Sequence, residues 1–132
     1  MKIKEIALDT SILIDHFNNA PSVIEHIESF DILWIPVPAI AELEFGLQKL
    51  KNPEPSRKNL ESFLSRKDVM VINCTREVAK KFAEIKIVLQ SKGSLIPVND
   101  LWIAACCLAY KKQIATRDEH FLKVPDLAVE MW

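Results

Sequence analysis

Apolar and polar residues follow two different periods along the chain, and the two periods separate strands from helices. Short apolar runs rich in β-branched residues indicate buried strands, and apolar residues spaced three and four apart indicate helices with one buried face. The runs predict strands at Ile3–Leu8, Ile32–Val37, Val69–Asn73, Gln113–Thr116 and Leu127–Glu130. The helical spacing predicts helices at Thr10–Asn18, Ser22–Phe30, Ala39–Leu50, Arg57–Lys67, Thr75–Ser91 and Asp100–Lys112.

Strands and helices alternate along the chain, an order typical of a parallel sheet with helices on both faces. Local signals mark some boundaries: Thr75 and Asn99 are predicted N-caps, and Gly93 is the predicted C-cap of the long helix. The length of 132 residues suits one domain, and no repeat or linker divides it. We therefore expect one α/β domain over residues 1–132.

Composition excludes several classes of protein. The formal net charge is −1, so nucleic-acid binding would need a local patch or bound cations. The three cysteines lack the spacing of a disulfide framework or a zinc site, which favours a reducing compartment. No signal peptide or apolar run of about 20 residues is visible, so we expect a cytoplasmic protein without a membrane partner. The two glycines exclude a glycine-rich phosphate loop.

Four carboxylates follow or flank the predicted strands. Asp9 directly follows the first strand, Asp118 follows the fourth, Asp100 lies in the first turn of a helix, and Glu42 lies within an apolar helical run. Ligands bind outside the carboxyl ends of parallel strands, so these side chains can converge at one edge of the sheet. Clustered carboxylates repel one another unless a cation neutralises them, and oxygen ligands suit Mg²⁺ or Mn²⁺. Such a site can activate water for phosphodiester hydrolysis.

Each acid also has an ordinary structural explanation when it is considered alone. Asp9 can be a helix N-cap, and Asp100 can complement the dipole of its helix. Glu42 can lie at the edge of the core, and Asp118 can be a solvated loop residue. The site hypothesis therefore depends on the four acids as a set.

Other side chains that could take part in catalysis or binding have simpler explanations. His120 is assigned to packing of its loop, because water activated by a metal needs no histidine base. Cys106 and Cys107 are assigned to the core. Trp102 is assigned either to the core or to a groove for a second protein.

Four segments together resemble the PIN-domain nucleases, and most closely the VapC-type toxins of prokaryotic toxin–antitoxin pairs. They are Leu-Asp-Thr-Ser-Ile-Leu-Ile-Asp at 8–15, Ala-Glu-Leu-Glu-Phe-Gly-Leu at 41–47, Pro-Val-Asn-Asp-Leu-Trp-Ile-Ala-Ala at 97–105 and Ala-Thr-Arg-Asp-Glu-His-Phe at 115–121. The resemblance implies a doubly wound PIN-like fold with a parallel sheet of four or five strands in the order 3-2-1-4-5. It also implies a Mg²⁺- or Mn²⁺-dependent endoribonuclease that cuts structured RNA and leaves a 5′-phosphate.

The resemblance assigns roles to individual residues. Asp9 and Asp100 would be direct metal ligands, and Glu42 and Asp118 would be ligands or would position water. The supporting residues it implies are Thr10, Ser11, Asn99 and Thr116. The candidate RNA contacts are Arg117, Lys49 and Lys51, for which a solvated surface is the alternative explanation.

The resemblance also implies a homodimer and a cognate antitoxin that wraps the toxin and blocks its site. Two other functions remain open from the residues themselves. One is a PIN-like module that binds RNA or protein without catalysis. The other is a phosphatase or phosphoacceptor with Asp9 as nucleophile, although the haloacid-dehalogenase pattern needs an acid where Ser11 stands.

Overall fold

The computed structural model describes residues 2–132, and within that range the chain forms five strands and six α-helices. The strands are β1 (Glu5–Leu8), β2 (Ile32–Pro36), β3 (Val69–Ile72), β4 (Ile114–Thr116) and β5 (Val129–Met131). The helices are α1 (Thr10–Phe17), α2 (Pro21–Glu28), α3 (Val37–Gln48), α4 (Glu54–Leu64), α5 (Arg76–Ser91) and α6 (Val98–Ala109). A short 3₁₀ helix covers Glu119–Lys123. None of the helices in residues 2–132 has both the length and the apolar character that crossing a membrane requires.

The five strands form one parallel sheet in the order β3-β2-β1-β4-β5, which confirms the predicted fold class and strand order. The central strand β1 pairs with β2 on one side and with β4 on the other. In the β1–β4 pairing, Leu8 lies opposite Ala115. The residues that follow these two strands therefore emerge side by side at the carboxyl edge of the sheet.

Two of the predicted helix caps are confirmed. The Thr75 hydroxyl accepts a hydrogen bond from the backbone N–H of Val78 at 3.3 Å, at the start of α5. Lys92 is the C-cap of α5, and Gly93 is the glycine directly after it, which ends the helix with φ of +64°, a conformation that glycine adopts without the cost of a Cβ. Its N–H donates to the carbonyl of Gln90, and the N–H of Ser94 donates to the carbonyl of Leu89. This pattern is a Schellman motif.

The predicted cap at Asn99 is wrong. Helix α6 begins at Val98, Pro97 occupies the N-cap position, and Asn99 lies inside the first turn. The side-chain amide of Asn99 points instead toward α3, where it donates to the carbonyl of Pro38 at 3.4 Å and to Oε1 of Glu42. Asn99 therefore joins two helices instead of capping one.

Helices α3 and α4 begin earlier than predicted, and a proline lies in the first turn of each. Pro38 is the second residue of α3, and Pro55 is the second residue of α4. The first N–H groups of a helix have no partner within the helix, so proline is tolerated there. Proline also suits the end of a strand or a turn, so a proline alone does not show where a helix begins.

The core lies on both faces of β1 and around α6. Ile6, Ala7 and Leu8 of β1 are fully buried, and Cys106 and Cys107 of α6 are fully buried with them. This burial confirms the assignment of both cysteines to the core, and it also raises the pKa of both thiols.

Trp102 of α6 is partly buried and packs against the core. Its ring stacks on that of Phe82 of α5, with centroids 4.1 Å apart and planes 21° apart. Of the two roles predicted for Trp102, the structure shows the packing role.

Candidate metal centre

The first carboxylate of the site is held by hydroxyl groups at the end of the central strand. Asp9 directly follows β1 and is 3% exposed. Its Oδ2 accepts hydrogen bonds from the hydroxyl of Ser11 at 2.9 Å and from that of Thr116 at 2.7 Å. Asp9 occupies the N-cap position of α1, but its side chain makes no capping hydrogen bond there. The simple N-cap explanation therefore does not account for this residue.

Burial of Asp9 has an electrostatic consequence. Desolvation raises the pKa of this carboxyl above its ordinary value, and the negative charge of Glu42 adds to the effect. The hydrogen bonds from Thr116 and Ser11 act in the opposite direction. The charged form of Asp9 therefore carries a cost that a bound cation would offset.

Thr116 connects Asp9 to the second part of the site. Thr116 is fully buried, and its hydroxyl donates to Asp9 while accepting the backbone N–H of Asp118 at 2.9 Å. The side chain of Asp118 in turn caps the 3₁₀ helix, since Oδ1 accepts the N–H of His120 at 2.9 Å. One hydroxyl thus fixes the relative positions of two acids that follow neighbouring strands.

Asp100, Asp118 and His120 form the tightest group of potential metal ligands in residues 2–132, with one ligand atom from each within 4.8 Å of the others. Nδ1 of His120 lies 3.0 Å from Oδ2 of Asp100 and 3.0 Å from Oδ1 of Asp118. The ring of His120 thus contacts two acids of the site, which the loop-packing assignment did not include. The neighbouring Phe121, which is fully buried, packs the loop into the core.

The negative charges of this group affect one another. Burial raises the pKa of Asp100, and the charges of Asp9 and Asp118 raise it further, while the hydrogen bond with His120 lowers it. Asp9 lies outside the 4.8 Å group but close enough for its charge to act on Asp100. The charges of all four predicted acids are therefore coupled, since Glu42 acts on Asp9 and both Asp9 and Asp118 act on Asp100.

Glu42 reaches the same edge of the sheet from α3. Its Oε1 accepts hydrogen bonds from the hydroxyl of Thr10 at 2.8 Å and from the side-chain amide of Asn99. Thr10 follows Asp9 and Asn99 precedes Asp100, so Glu42 is held by the neighbours of both acids. The side chain of Glu42 is exposed and lies outside the 4.8 Å group found among residues 2–132.

The predicted cationic residues lie in two places. Arg117 immediately precedes Asp118, and its Nε makes an ion pair with Oδ2 of Asp15 at 2.8 Å while 44% of the side chain stays exposed. Lys49 and Lys51 lie beyond the C-terminal end of α3, and Lys49 Nζ stands 4.3 Å above the centre of the Phe45 ring. Arg117 is therefore the cationic candidate adjacent to the acids.

The donor set suits a divalent cation. It consists of carboxylate oxygens and one imidazole nitrogen, and the hydroxyls of Ser11 and Thr116 orient one of the carboxylates. Adjacent ligand atoms around an octahedral ion with bonds of about 2.1 Å lie about 3.0 Å apart. The two contacts of His120 Nδ1 with carboxylate oxygens, both 3.0 Å, have hydrogen-bond length, and that length is also the spacing of neighbouring ligands on such an ion.

Comparison with known proteins places this geometry in a family. The sequence profile of the PIN domain matches residues 6–127. The chain belongs to the PIN-domain family. This confirms the predicted family, and the match covers all of the acids described above.

Two relatives of this PIN domain match it over most of its length. Ribonuclease VapC2 of Rickettsia felis is 29% identical over 130 residues, which span 95% of this chain and 96% of that protein. Ribonuclease VapC4 of Mycobacterium tuberculosis is 25% identical over 95 residues, 72% of this chain and 73% of that protein.

Two solved structures share the fold closely. The complex VapBC2 of Rickettsia felis bound to a DNA fragment from its promoter superposes with a TM-score of 0.89, at 28% identity over 97% of this chain and 98% of that one. VapBC-1 of nontypeable Haemophilus influenzae gives a TM-score of 0.86, at 27% identity over 97% of this chain and 98% of that one.

Sequence reasoning missed His120 as a member of the cluster. A signal for it exists in the short segment Asp118-Glu119-His120. An aspartate that caps a turn accepts the N–H two residues later, which brings that residue close to the carboxylate. The position of Asp100 beside His120, by contrast, depends on how α6 packs and has no local signal.

Proposed function

We propose that this PIN domain is a divalent-metal-dependent endoribonuclease and the toxin of a type II toxin–antitoxin pair. The observation that carries the proposal is the convergence of Asp9, Asp100 and Asp118 at the carboxyl edge of the sheet, with Glu42 beside them. The relatives named above are ribonucleases of the VapC type, which supports RNA as the substrate.

The residues of such a site would have three tasks: to bind the ion, to orient water and to position the carboxylates. Asp9, Asp100 and Asp118 would hold the ion, and Glu42 would orient water or complete the ligand set from α3. Thr116 and Ser11 keep Asp9 in one orientation, while Thr10 and Asn99 do the same for Glu42. When bound, Mg²⁺ or Mn²⁺ would lower the pKa of a water molecule in the site and stabilise the negative charge that develops on the phosphodiester.

The reaction is hydrolysis of a phosphodiester bond in structured RNA. Water adds to phosphorus as the bond to the 3′-oxygen breaks, so one product carries a 5′-phosphate and the other a 3′-hydroxyl. Arg117 stands next to Asp118 and is exposed enough to hold an adjacent phosphate. Lys49 and Lys51 would extend the contact along the RNA backbone from the far end of α3.

The proposal includes protein partners in the cytoplasm. The similar Rickettsia felis and Haemophilus influenzae structures are of VapBC complexes. An open cleft of about 360 Å³ between α1, α3 and α4 is lined by apolar side chains, among them Ile14, Leu47 and Leu60. Such an apolar surface supports an antitoxin segment as a partner, and a homodimer is the expected oligomeric state.

Cleavage of an RNA pool tests the enzymatic part of the proposal. The chain, purified free of antitoxin, is incubated with total RNA and tRNA in Mg²⁺, in Mn²⁺ or in EDTA. We expect metal-dependent cuts at defined sites that disappear in Asp100→Asn. Asp126→Asn is the matched control, because Asp126 is an exposed acid with φ of +64°, a conformation that asparagine tolerates.

The possible results separate the candidate functions. Equal cleavage by the parent and Asp100→Asn would identify a contaminating ribonuclease and contradict the proposal. Absence of cleavage together with absence of Asp100-dependent Mn²⁺ binding would favour a binding module without catalysis. Growth arrest on expression, relieved by a co-expressed antitoxin, tests the toxin role separately.

A further inference from the structure

We infer that His120 is a direct ligand of the metal ion through Nδ1, and that it shifts the selectivity of the site from Mg²⁺ toward transition-metal ions. The inference rests on the proposed function, because it concerns the same metal centre. It goes beyond the carboxylate set that the family resemblance implies, in which no histidine has a role.

The position of the imidazole is fixed by the protein. The N–H of His120 donates to Asp118, which caps the 3₁₀ helix, and the next residue, Phe121, is fully buried in the core. These two anchors hold the backbone of His120 on both sides. The ring then lies with Nδ1 at 3.0 Å from one oxygen of Asp100 and from one oxygen of Asp118.

This arrangement places a nitrogen donor among the oxygens, and apart from the contacts with Asp100 and Asp118 the ring is not needed to pack the loop. The packing of the loop is carried by Phe121, and the His120 side chain is 41% exposed, open to solvent and to an arriving ion. The other two histidines lie elsewhere. His16 packs against Phe63, with ring centroids 5.0 Å apart, and His26 stacks on Trp132 at 4.7 Å.

The chemistry of the ligand predicts the selectivity. Carboxylate and water oxygens suit Mg²⁺ and Mn²⁺, whereas imidazole nitrogen suits later first-row ions such as Co²⁺, Ni²⁺ and Zn²⁺. A site with one imidazole and several carboxylates should therefore favour Co²⁺ over Mg²⁺ more strongly than an all-oxygen site. Mn²⁺ should still bind, because the carboxylates suit it, and its unpaired electrons report which nuclei are coordinated.

Pulsed electron paramagnetic resonance of the Mn²⁺-loaded chain tests the ligand directly. We expect a nitrogen coupling that changes from the ¹⁴N to the ¹⁵N pattern when the chain is labelled with ¹⁵N-histidine, without any substitution. The coupling should vanish in His120→Asn and persist in the matched control His26→Gln, whose ring is outside the site. His120→Gln serves as a second variant in case the asparagine disturbs the turn.

Titration with Co²⁺ and Mg²⁺ tests the selectivity. In His120→Asn we expect Co²⁺ affinity to fall about tenfold or more, with Mg²⁺ affinity changed much less. An equal loss for both ions would contradict the selectivity role.

The outcomes also separate this inference from the proposed function. Mn²⁺ binding that depends on Asp100 but shows no histidine nitrogen coupling would overturn the ligand role and leave the metal-dependent nuclease intact. In that case the ring would only hydrogen-bond the carboxylates. Absence of any Asp100-dependent ion binding would overturn both.

Discussion

Thr116 offers the sharpest test of how the site is assembled, because one hydroxyl joins two of its acids. It donates to Oδ2 of Asp9 at 2.7 Å and accepts the N–H of Asp118 at 2.9 Å. The substitution Thr116→Val removes both bonds and keeps a side chain of similar size and branching at a fully buried position. Any effect therefore comes from the hydroxyl and not from a cavity.

The expected loss follows from the two bonds. A hydrogen bond to a charged group contributes about 1.5–3 kcal/mol, and loss of the partner of the Asp118 N–H adds about 1 kcal/mol, since solvent can partly replace it. The cost for the Asp118 N–H is set at the lower end of the range for an unpaired polar group because Asp118 is only half-buried. Together we expect the free energy of unfolding to fall by about 2.5–4 kcal/mol. Mn²⁺ affinity should fall as well, because the Thr116 hydroxyl no longer fixes Asp9 and Asp118 relative to each other.

Urea denaturation in EDTA, followed by tryptophan fluorescence, measures the stability, and Mn²⁺ titration measures the affinity. The matched control is Thr75→Val, which removes a helix cap far from the acids and should cost about 1 kcal/mol without changing Mn²⁺ affinity. A loss below about 0.5 kcal/mol in Thr116→Val, with unchanged Mn²⁺ affinity, would refute the role of the hydroxyl.

Three further predictions concern charge and backbone conformation. In EDTA, Asp100→Asn should be more stable than the parent at pH 7, because the raised pKa of Asp100 means that the folded chain binds this proton more tightly than the unfolded chain. The stabilising contribution of the Asp100 carboxyl is present below its ordinary pKa of 3.8 and is lost as the pH rises through the raised pKa of the folded chain. In thermal melts, the higher stability of Asp100→Asn over the parent should therefore disappear as the pH falls toward about 4. Arg117→Gln should weaken RNA binding and reduce the slope of log affinity against log salt by about 0.7 in filter-binding assays, while Asp15→Asn, which removes only its ion-pair partner, should retain RNA affinity. Gly93→Ala should lower the urea-denaturation stability by about 1 kcal/mol, because φ of +64° strains any residue with a Cβ even though that Cβ would have nothing within 4 Å.

The order of elements was predictable because strands and helices bury their apolar residues with different periods. The first and last residues of each element were less predictable, because the pairing with a neighbouring strand decides where a strand begins. Strand β1 was predicted from Ile3 but begins at Glu5, where its pairing with Ile32 of β2 starts. The prolines at 38 and 55 illustrate a second ambiguity, since proline suits both the end of a strand and the first turn of a helix.

The candidate site was predictable where it depends on topology and hidden where it depends on packing between helices. Asp9 and Asp118 follow strands β1 and β4, and a parallel sheet brings the ends of such strands together. The contact of Asn99 with Glu42 depends on how α6 lies against α3, which no local pattern encodes. A local preference for asparagine at helix caps gave the wrong role for that residue.

The arrangement of the acids explains how the fold accommodates them before an ion arrives. Asp9 stands at the N-terminus of α1 and Asp100 in the first turn of α6, where the positive ends of the helix dipoles favour negative charge. The hydroxyls of Ser11 and Thr116 add hydrogen bonds to Asp9. These contributions are partial, since the pKa of Asp9 and of Asp100 remains raised. The fold therefore fixes the positions of the carboxylates without fully neutralising them, and that residual negative charge is what a divalent cation would bind.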